Sequence, residues 1–200
     1  NCALINDSVL QVPFYRCVET HIAAVQVVSP TQEVYCGDLI DVPIAVVGVS
    51  DLQGYQVGVN FSPAALQIVS ITPYTWFVPY AYFNYYYSNT AGTSMAFSAL
   101  NAQPTGKSGS GTLYTIRFRT IGSGPTTIWI TGSLLSNTPA PGFSPIPHNA
   151  ISATININPR DVQGIAYLQG RTDHYGATVV ALVGSTPVVT TTTDSGGNYT

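Results

Sequence analysis

Two hundred residues and 21.2 kDa allow one large β domain, or one of ordinary size with a smaller partner. Six basic and 9 acidic residues give a formal charge of -3, and the polar surface is built from 23 Thr and 17 Ser instead. This excludes a basic nucleic-acid or anionic-membrane binder, because no Lys/Arg cluster exists to neutralise phosphates. An apolar content of 45% at low net charge favours collapse over disorder. No apolar run approaches the roughly 20 residues that span a bilayer. The chain opens at Asn1 without a basic n-region, which reads as a mature or partial chain whose secretion signal was removed beforehand. A Ser/Thr/Tyr/Gly-rich, Lys-poor surface suits an extracellular or cell-surface location.

In chain order, residues 1–22 form an arm with one apolar stretch, Val9-Leu10-Gln11-Val12-Pro13-Phe14-Tyr15, between Cys2 and Cys17. It reads either as a strand covering its own domain or as a donor strand for another chain, with Val9, Leu10, Val12 and Phe14 in contact. Cys36 makes the cysteine count odd, so at most one bridge closes within the chain. Cys2 and Cys17 are the disulfide candidates; their bridge would enclose about 15 residues and contribute about 3 kcal/mol. Three buried, reduced thiols are the alternative.

Period-two alternation then dominates. Ile40, Val42, Ile44 and Val46 oppose Asp41, Pro43 and Ala45; Tyr55, Val57, Val59 and Phe61 oppose Gln56, Gly58 and Asn60. Met95/Phe97/Ala99, Tyr114/Ile116/Phe118, Ile128/Ile130 and Ile151/Ala153/Ile155/Ile157 continue the series. Turn residues at Ser50–Asp51, Ser62–Pro63, Gly109–Gly111 and Gly122–Pro125 punctuate it, which predicts a two-sheet sandwich. Only Ser62-Pro63-Ala64-Ala65-Leu66 suits a single helical turn. The fold class is all-β, with residues 23–158 as the main β-sandwich. A boundary falls at Asn158-Pro159-Arg160, where Pro cannot continue a ladder, and residues 159–200 form a second, smaller β domain.

The chemical candidates are few. Gly106-Lys107-Ser108 has the ending of a phosphate-binding loop, but position 101 is Asn101, not glycine, and no helix follows. His21, His148 and His174 lie far apart, with no paired Cys or His spacing for zinc. No nucleophile elbow marks a Ser–His–Asp site. Glu19 and Glu33, the two glutamates, both sit in linking segments near the amino end. Asp38, Asp41, Asp161, Asp173 and Asp194 lie outside any spaced acidic loop that would collect the six to eight oxygens calcium wants. No catalytic residue, metal or cofactor is expected. The aromatic run is the exception: Tyr74, Trp76, Phe77, Tyr80, Tyr82, Phe83, Tyr85, Tyr86 and Tyr87 crowd fourteen positions. A strand buries only alternate members, so Tyr80, Tyr82, Tyr85, Tyr86 and Tyr87 are interface candidates, with internal packing and carbohydrate stacking as the alternatives. Asn6 and Asn198 match N-glycan acceptor patterns, and Thr190, Thr191, Thr192 and Thr193 suit hydroxyl-linked sugars.

From Ala23 to Ile157 the chain resembles a cohesin-type domain. The likeness rests on Val25-Gln26-Val27, Val34-Tyr35-Cys36-Gly37-Asp38, Val42-Pro43-Ile44 and Val49-Ser50-Asp51-Leu52-Gln53-Gly54-Tyr55. It continues through Phe61-Ser62-Pro63-Ala64-Ala65-Leu66 and Gly109-Ser110-Gly111-Thr112-Leu113-Tyr114-Thr115-Ile116-Arg117-Phe118. Cohesins usually carry Tyr-Asp where this chain has Phe61-Ser62. The resemblance implies a nine-stranded jelly roll used for non-catalytic attachment. Residues 161–200 resemble the start of a carboxypeptidase-regulatory-like, prealbumin-type sandwich, through Val162-Gln163-Gly164, Leu168-Gln169-Gly170-Arg171, Gly176-Ala177-Thr178-Val179 and Thr193-Asp194-Ser195-Gly196-Gly197-Asn198-Tyr199. About 40 residues are too few to close two such faces, so this domain is expected to be incomplete.

Two functions follow. In the first, the chain is an extracellular structural subunit, glycosylated or bare, whose copies join head to tail as residues 1–22 add a strand to the next terminal domain. In the alternative, a cohesin-like receptor binds a dockerin-like partner or carbohydrate at the cell surface.

Overall fold

The computed structural model describes residues 2–6, 13–17, 22–101, 105–137, 144–183 and 186–200, with backbone alone at 2–6, 13–17, 183, 186 and 188. Close contacts divide the chain into two units, Asn1–Asn158 and Pro159–Thr200.

In the amino-terminal arm, β1 (Cys2–Asn6) and β2 (Pro13–Cys17) pair antiparallel, with Cys2 opposite Cys17 and Asn6 opposite Pro13. Each strand therefore already has a partner along one edge. Phe14 is placed in β2 opposite Ile5, whereas Val9, Leu10 and Val12 lie outside the described residues.

The unit continues with β3 (Ala23–Val27), β4 (Val34–Tyr35), β5 (Leu39–Leu52), β6 (Gly54–Asn60), β7 (Leu66–Pro73), a 3-10 turn η1 (Thr75–Phe77) and β8 (Tyr80–Ser88). Then come β9 (Thr93–Leu100), β10 (Lys107–Thr120), β11 (Gly124–Ser136), β12 (His148–Ile151) and β13 (Ala153–Asn158). A five-stranded sheet has the order β12-β3-β5-β10-β7, and a six-stranded sheet the order β4-β13-β11-β6-β9-β8. No α-helix occurs among the described residues, and the architecture is an all-β jelly-roll sandwich.

The alternation explains the core. Ile40, Val42 and Ile44 of β5 stand opposite Phe118, Ile116 and Tyr114 of β10, and all six are buried. The other sheet contributes Tyr55, Val57, Val59, Ala96, Ile128, Leu135, Ile155 and Ile157. At the centre Tyr55 stacks on Tyr114 with ring centroids 6.2 Å apart, and Phe77 meets Tyr55 edge-on at 5.0 Å. Each large apolar side chain so covered contributes about 1.5–3 kcal/mol. The single helical turn also forms: the N–H groups of Ala65 and Leu66 both donate to the Ser62 carbonyl, at 3.1 and 3.0 Å.

Two strand expectations change. Ile151 to Ile157 is not one strand: β12 lies parallel to β3 in one sheet, β13 lies antiparallel to β11 in the other, and Ile151 is exposed. The apolar alternation through Ser152 therefore marks burial only on β13, where Ile155 and Ile157 face the core, while β12 buries none of its residues. On β9 the inward residues are Ser94, Ala96 and Ser98, while Met95 and Phe97 are half-buried on the outer face. The bulky rings of Tyr55, Tyr114 and Phe77 fill the space beneath and favour small partners.

In Pro159–Thr200, β14 (Gly164–Ile165) pairs with β17 (Asn198–Tyr199), and β15 (Thr178–Val183) pairs with β16 (Thr186–Thr192). Among the described residues of this unit only Thr193 and Gly197 are buried. Thr193 is the organising polar group: its hydroxyl donates to the His174 carbonyl and accepts from Ala177 N–H at 2.9 Å.

Candidate binding face

The six-stranded sheet contains no Asp, Glu, Lys, Arg or His in any strand. The sequence carries no charged residue between Asp51 and Lys107, nor any Asp, Glu, Lys or Arg between Arg119 and Arg160, and those two spans supply nearly all of the sheet. The sandwich's strand charges fall on the other sheet, where Arg117 on β10 grips Asp41 on β5 with Nε–Oδ1 at 2.7 Å and Nη2–Oδ2 at 2.8 Å. The guanidinium hydrogen bonds hold the Asp41 carboxyl below its ordinary range.

Register assigns the outer face of the neutral sheet. Inward Tyr55, Val57 and Val59 leave Gln56, Gly58 and Asn60 outward on β6, which stand opposite Phe97, Met95 and Thr93 on β9. Phe97 and Met95 in turn stand opposite Asn84 and Tyr86 on β8. On the other side, Trp129 and Leu134 of β11 stand opposite Asn60 and Gln56. The result is one continuous face running from Trp129 and Leu134, past Gln56, Gly58 and Asn60, to Met95, Phe97, Tyr82, Asn84 and Tyr86. Gly58 forms its floor, with Met95 Cε and Thr131 Oγ1 3.3 Å from where a Cβ would stand. Tyr86 is 62% exposed and Trp129 46%; Tyr82 packs edge-on against Phe97 at 6.2 Å. Uncharged aromatic and amide groups lose less on drying than ions do, so such a face suits contact with another macromolecule.

The five expected tyrosines are all exposed, but they divide. Tyr82 and Tyr86 belong to this outer face. Tyr85 and Tyr87 stand opposite inward Ala96 and Ser94, stack on each other at 6.5 Å, and continue the row begun by Phe83 beyond the covered core. Tyr80 precedes the bulge between Tyr80 and Tyr82. Trp129, Leu134, Met95 and Phe97 are additions that the aromatic run does not reveal, being distant in sequence; the two charge-free spans were the available signal.

The remaining candidates are not drawn together. Cys36 is half-buried and packs against the core. Asn198 is exposed, its amide held by the Asp194 carboxylate at 3.0 and 3.2 Å, and these bonds keep Asp194 below its ordinary pKa. Asn6 is placed in β1. Thr190 and Thr192 are exposed and Thr191 half-buried on β16. Thr193, only 1% exposed with its hydroxyl engaged, has no room for a sugar. Ser133 Oγ lies 2.8 Å from His148 Nε2, an unanticipated pair. His148 Nδ1 donates to the Ile146 carbonyl at 2.7 Å, and the contact of Nε2 with the Ser133 hydroxyl ties β12 to β11. Among the described residues no group of three or more His, Cys, Asp or Glu could hold a metal ion, and no helix is long and apolar enough to cross a membrane.

Solved structures share the fold. A non-cellulosomal cohesin of the archaeon Archaeoglobus fulgidus aligns with a TM-score of 0.56 at 15% identity, over 68% of this chain and 91% of its own. The third cohesin ScaC of Acetivibrio cellulolyticus, in complex with the ScaB dockerin, aligns at 0.58 and 17% identity over 68% and 99%. The cohesin of the Clostridium thermocellum Coh-OlpC–Doc435 complex aligns at 0.58 and 15% over 72% and 100%. No curated protein matches. The cohesin domain family itself matches residues 25–158, the stretch that holds both sheets from β3 to β13, and with two thirds of its length so accounted for this chain belongs to the cohesin family.

Proposed function

We propose that the chain is a non-catalytic attachment module of the cell surface or extracellular space, which captures a dockerin-type protein on the outer face of β11-β6-β9-β8. One observation carries this: a sheet without a single charged residue displays Trp129, Leu134, Tyr82 and Tyr86 to solvent. Large exposed apolar patches on monomers mark interaction sites, and Trp and Tyr dominate binding energy where they are desolvated. Dockerin recognition is the partner named for two of the similar structures. The test is isothermal titration of the chain with dockerin-type domains of its own organism. Trp129→Asp and Leu134→Asp, at exposed positions of β11, should each weaken binding by tenfold or more while leaving the unfolding midpoint unchanged. Binding that tolerates both substitutions rules this face out.

A second reading, open-ended self-assembly by strand addition, is supported by the other unit. Pro159–Thr200 buries no described apolar side chain, exposes Val162, Ile165, Leu182 and Val189, and holds a 290 Å³ cleft lined by Val162, Val180, Ala181, Val189 and Tyr199. A prealbumin-type sandwich completed by a strand from the arm of another copy, Phe14 included, would cover it. Glycans on Thr190, Thr192, Asn198 or Asn6 would supply hydration that so few charges do not. Filaments in electron micrographs of the purified chain would favour this reading over capture of a partner.

A further inference from the structure

We propose that two copies of this chain join edge to edge through β8, antiparallel about a two-fold axis at Asn84, merging their six-stranded sheets into one.

The four sheet edges of the sandwich are unequal. β4 is two residues long and β12 four. β7 ends in Pro73 and is capped by Asn89, whose side chain accepts from Ile68 N–H at 2.7 Å and donates to Ile68 C=O at 3.0 Å. β8 alone runs nine residues at the end of its sheet with no charge, no proline and, beyond the bulge after Tyr80, a regular register from Tyr82 to Ser88. Protected edges carry the devices that β8 lacks.

The occupant follows from the pattern along β8. Tyr82-Phe83-Asn84-Tyr85-Tyr86 reads aromatic, aromatic, amide, aromatic, aromatic in both directions. Antiparallel pairing about Asn84 sets Tyr82 against the second copy's Tyr86, and Phe83 against its Tyr85. Directly opposed residues share a face. The outer-face residues Tyr82, Asn84 and Tyr86 thus meet only their own kind, as do the inner-face residues Phe83 and Tyr85. An isologous contact requires such self-complementarity. Tyr80, Tyr82, Tyr85, Tyr86 and Tyr87 are 39–62% exposed. At about 200 Å² each, they expose roughly 900 Å² over two copies. This is the ceiling for the contact, because the outer rims of Tyr82 and Tyr86 stay open, and it places the pair among the small, weak interfaces below about 1,200 Å².

The inference is independent of partner capture, and its test contains no partner. Sedimentation equilibrium of the chain at about 100 μM, well above the micromolar range of weak specific pairs, should give twice 21.2 kDa and no larger species. Asn84 is exposed, so Asn84→Lys should fold normally, as circular dichroism will check, yet bring two ammonium groups together on the axis and return the mass to 21.2 kDa. Asn84→Asp alone should do the same. An equimolar mixture of the two variants should recover the doubled mass, because opposite charges then meet. A wild-type chain that stays monomeric, association that survives Asn84→Lys, or a mixture that fails to recover overturns the proposal. Loss of dockerin-type binding in the Trp129→Asp titration would leave all these outcomes unchanged.

Discussion

Replacing Gly111 by alanine tests how the root of β8 is fastened. A Cβ at position 111 would lie 2.2, 2.3 and 2.5 Å from Cδ2, Cγ and Cδ1 of Trp76, so the indole of η1 rests directly on the bare backbone of β10. The backbone at Gly111 is not left-handed, unlike that of Gly109, so alanine fits the chain there and only the ring must move. Trp76 is half-buried, and a displaced indole re-exposes roughly 100 Å², or about 2.5 kcal/mol at 25 cal/mol per Å². Alanine also restricts the unfolded chain, which returns about 0.4–1 kcal/mol. The net loss is therefore about 2 kcal/mol, or about 4–8 °C in Tm for a unit of this size. The assay is urea unfolding followed by tryptophan emission in a Trp129→Phe background, which leaves Trp76 as the single tryptophan. Gly111→Ala should lower the midpoint and shift native emission to the red. A midpoint that holds or rises, with emission unchanged, would mean that the ring does not sit on Gly111 and that η1 is anchored by Phe77 alone.

Three further outcomes are expected. Cys2 and Cys17 stand opposite each other in the β1–β2 register, and opposed strand positions, about 4.5–5.5 Å apart, fall within the Cα range that a disulfide requires. The oxidised chain should weigh about 2 Da less than the reduced one, with Cys36 alone open to alkylation; alkylation of all three under native, oxidising conditions would refute the bridge. Burial raises the phenol pKa of Tyr114 and Tyr55. Stability is thus full below the ordinary value of 10.0 and falls as the pH climbs past it. In a spectrophotometric titration these two rings should ionise only as the chain unfolds, and prompt ionisation of every tyrosine in the native state would contradict their packing. For Asp41, whose folded pKa lies below its ordinary 3.8, the contribution is present above that pH and lost as the pH falls through the folded value. Asp41→Asn should flatten the acid limb of the stability curve, the more so at low salt because the pair is half-exposed; an unchanged slope would remove the ion pair from the account.

The strands that cross the centre of the sandwich were legible because one face of each is wholly covered. Ile40, Val42, Ile44 and Val46, or Tyr114, Ile116 and Phe118, alternate with polar or small neighbours as burial on one side demands. The phase of β9 was not legible. Its apolar members Met95 and Phe97 face outward, while its inward positions are serines and an alanine beneath the clustered rings of Tyr55, Phe77 and, from the opposite sheet, Tyr114, a fact of tertiary packing. Nor could the sequence show that the chain changes sheets at Ser152. The candidate face was half legible: the tyrosine run announced exposure, but which tyrosines share a face with Trp129 depends on pairing β8 with β9, β9 with β6 and β6 with β11, the last joining Asn60 to Trp129 and Gly54 to Ser136.

The division of charge between the two sheets bears directly on use. A sandwich has two outer faces that must remain wet while the molecule is alone. The five-stranded sheet meets this with Asp41, Arg117 and Arg119, ions whose removal from water would cost several kcal/mol each. The six-stranded sheet meets it with phenol, hydroxyl and amide groups, each of which binds water in the free state. Tyr82, Tyr86, Thr131, Gln56 and Asn60 can exchange that water for a partner's donors and acceptors at a fraction of the cost of drying an ion. Only the second face can therefore turn dry without a matched opposite charge on the other side. Introducing a single lysine at Phe97, in its middle, would impose on this face the desolvation penalty that the other sheet already carries. It should lower partner affinity by at least tenfold and leave thermal stability nearly untouched, since Phe97 is half-buried outside the core. Equal binding by Phe97→Lys would show that contact is made elsewhere, and that the neutrality of this sheet has no part in recognition.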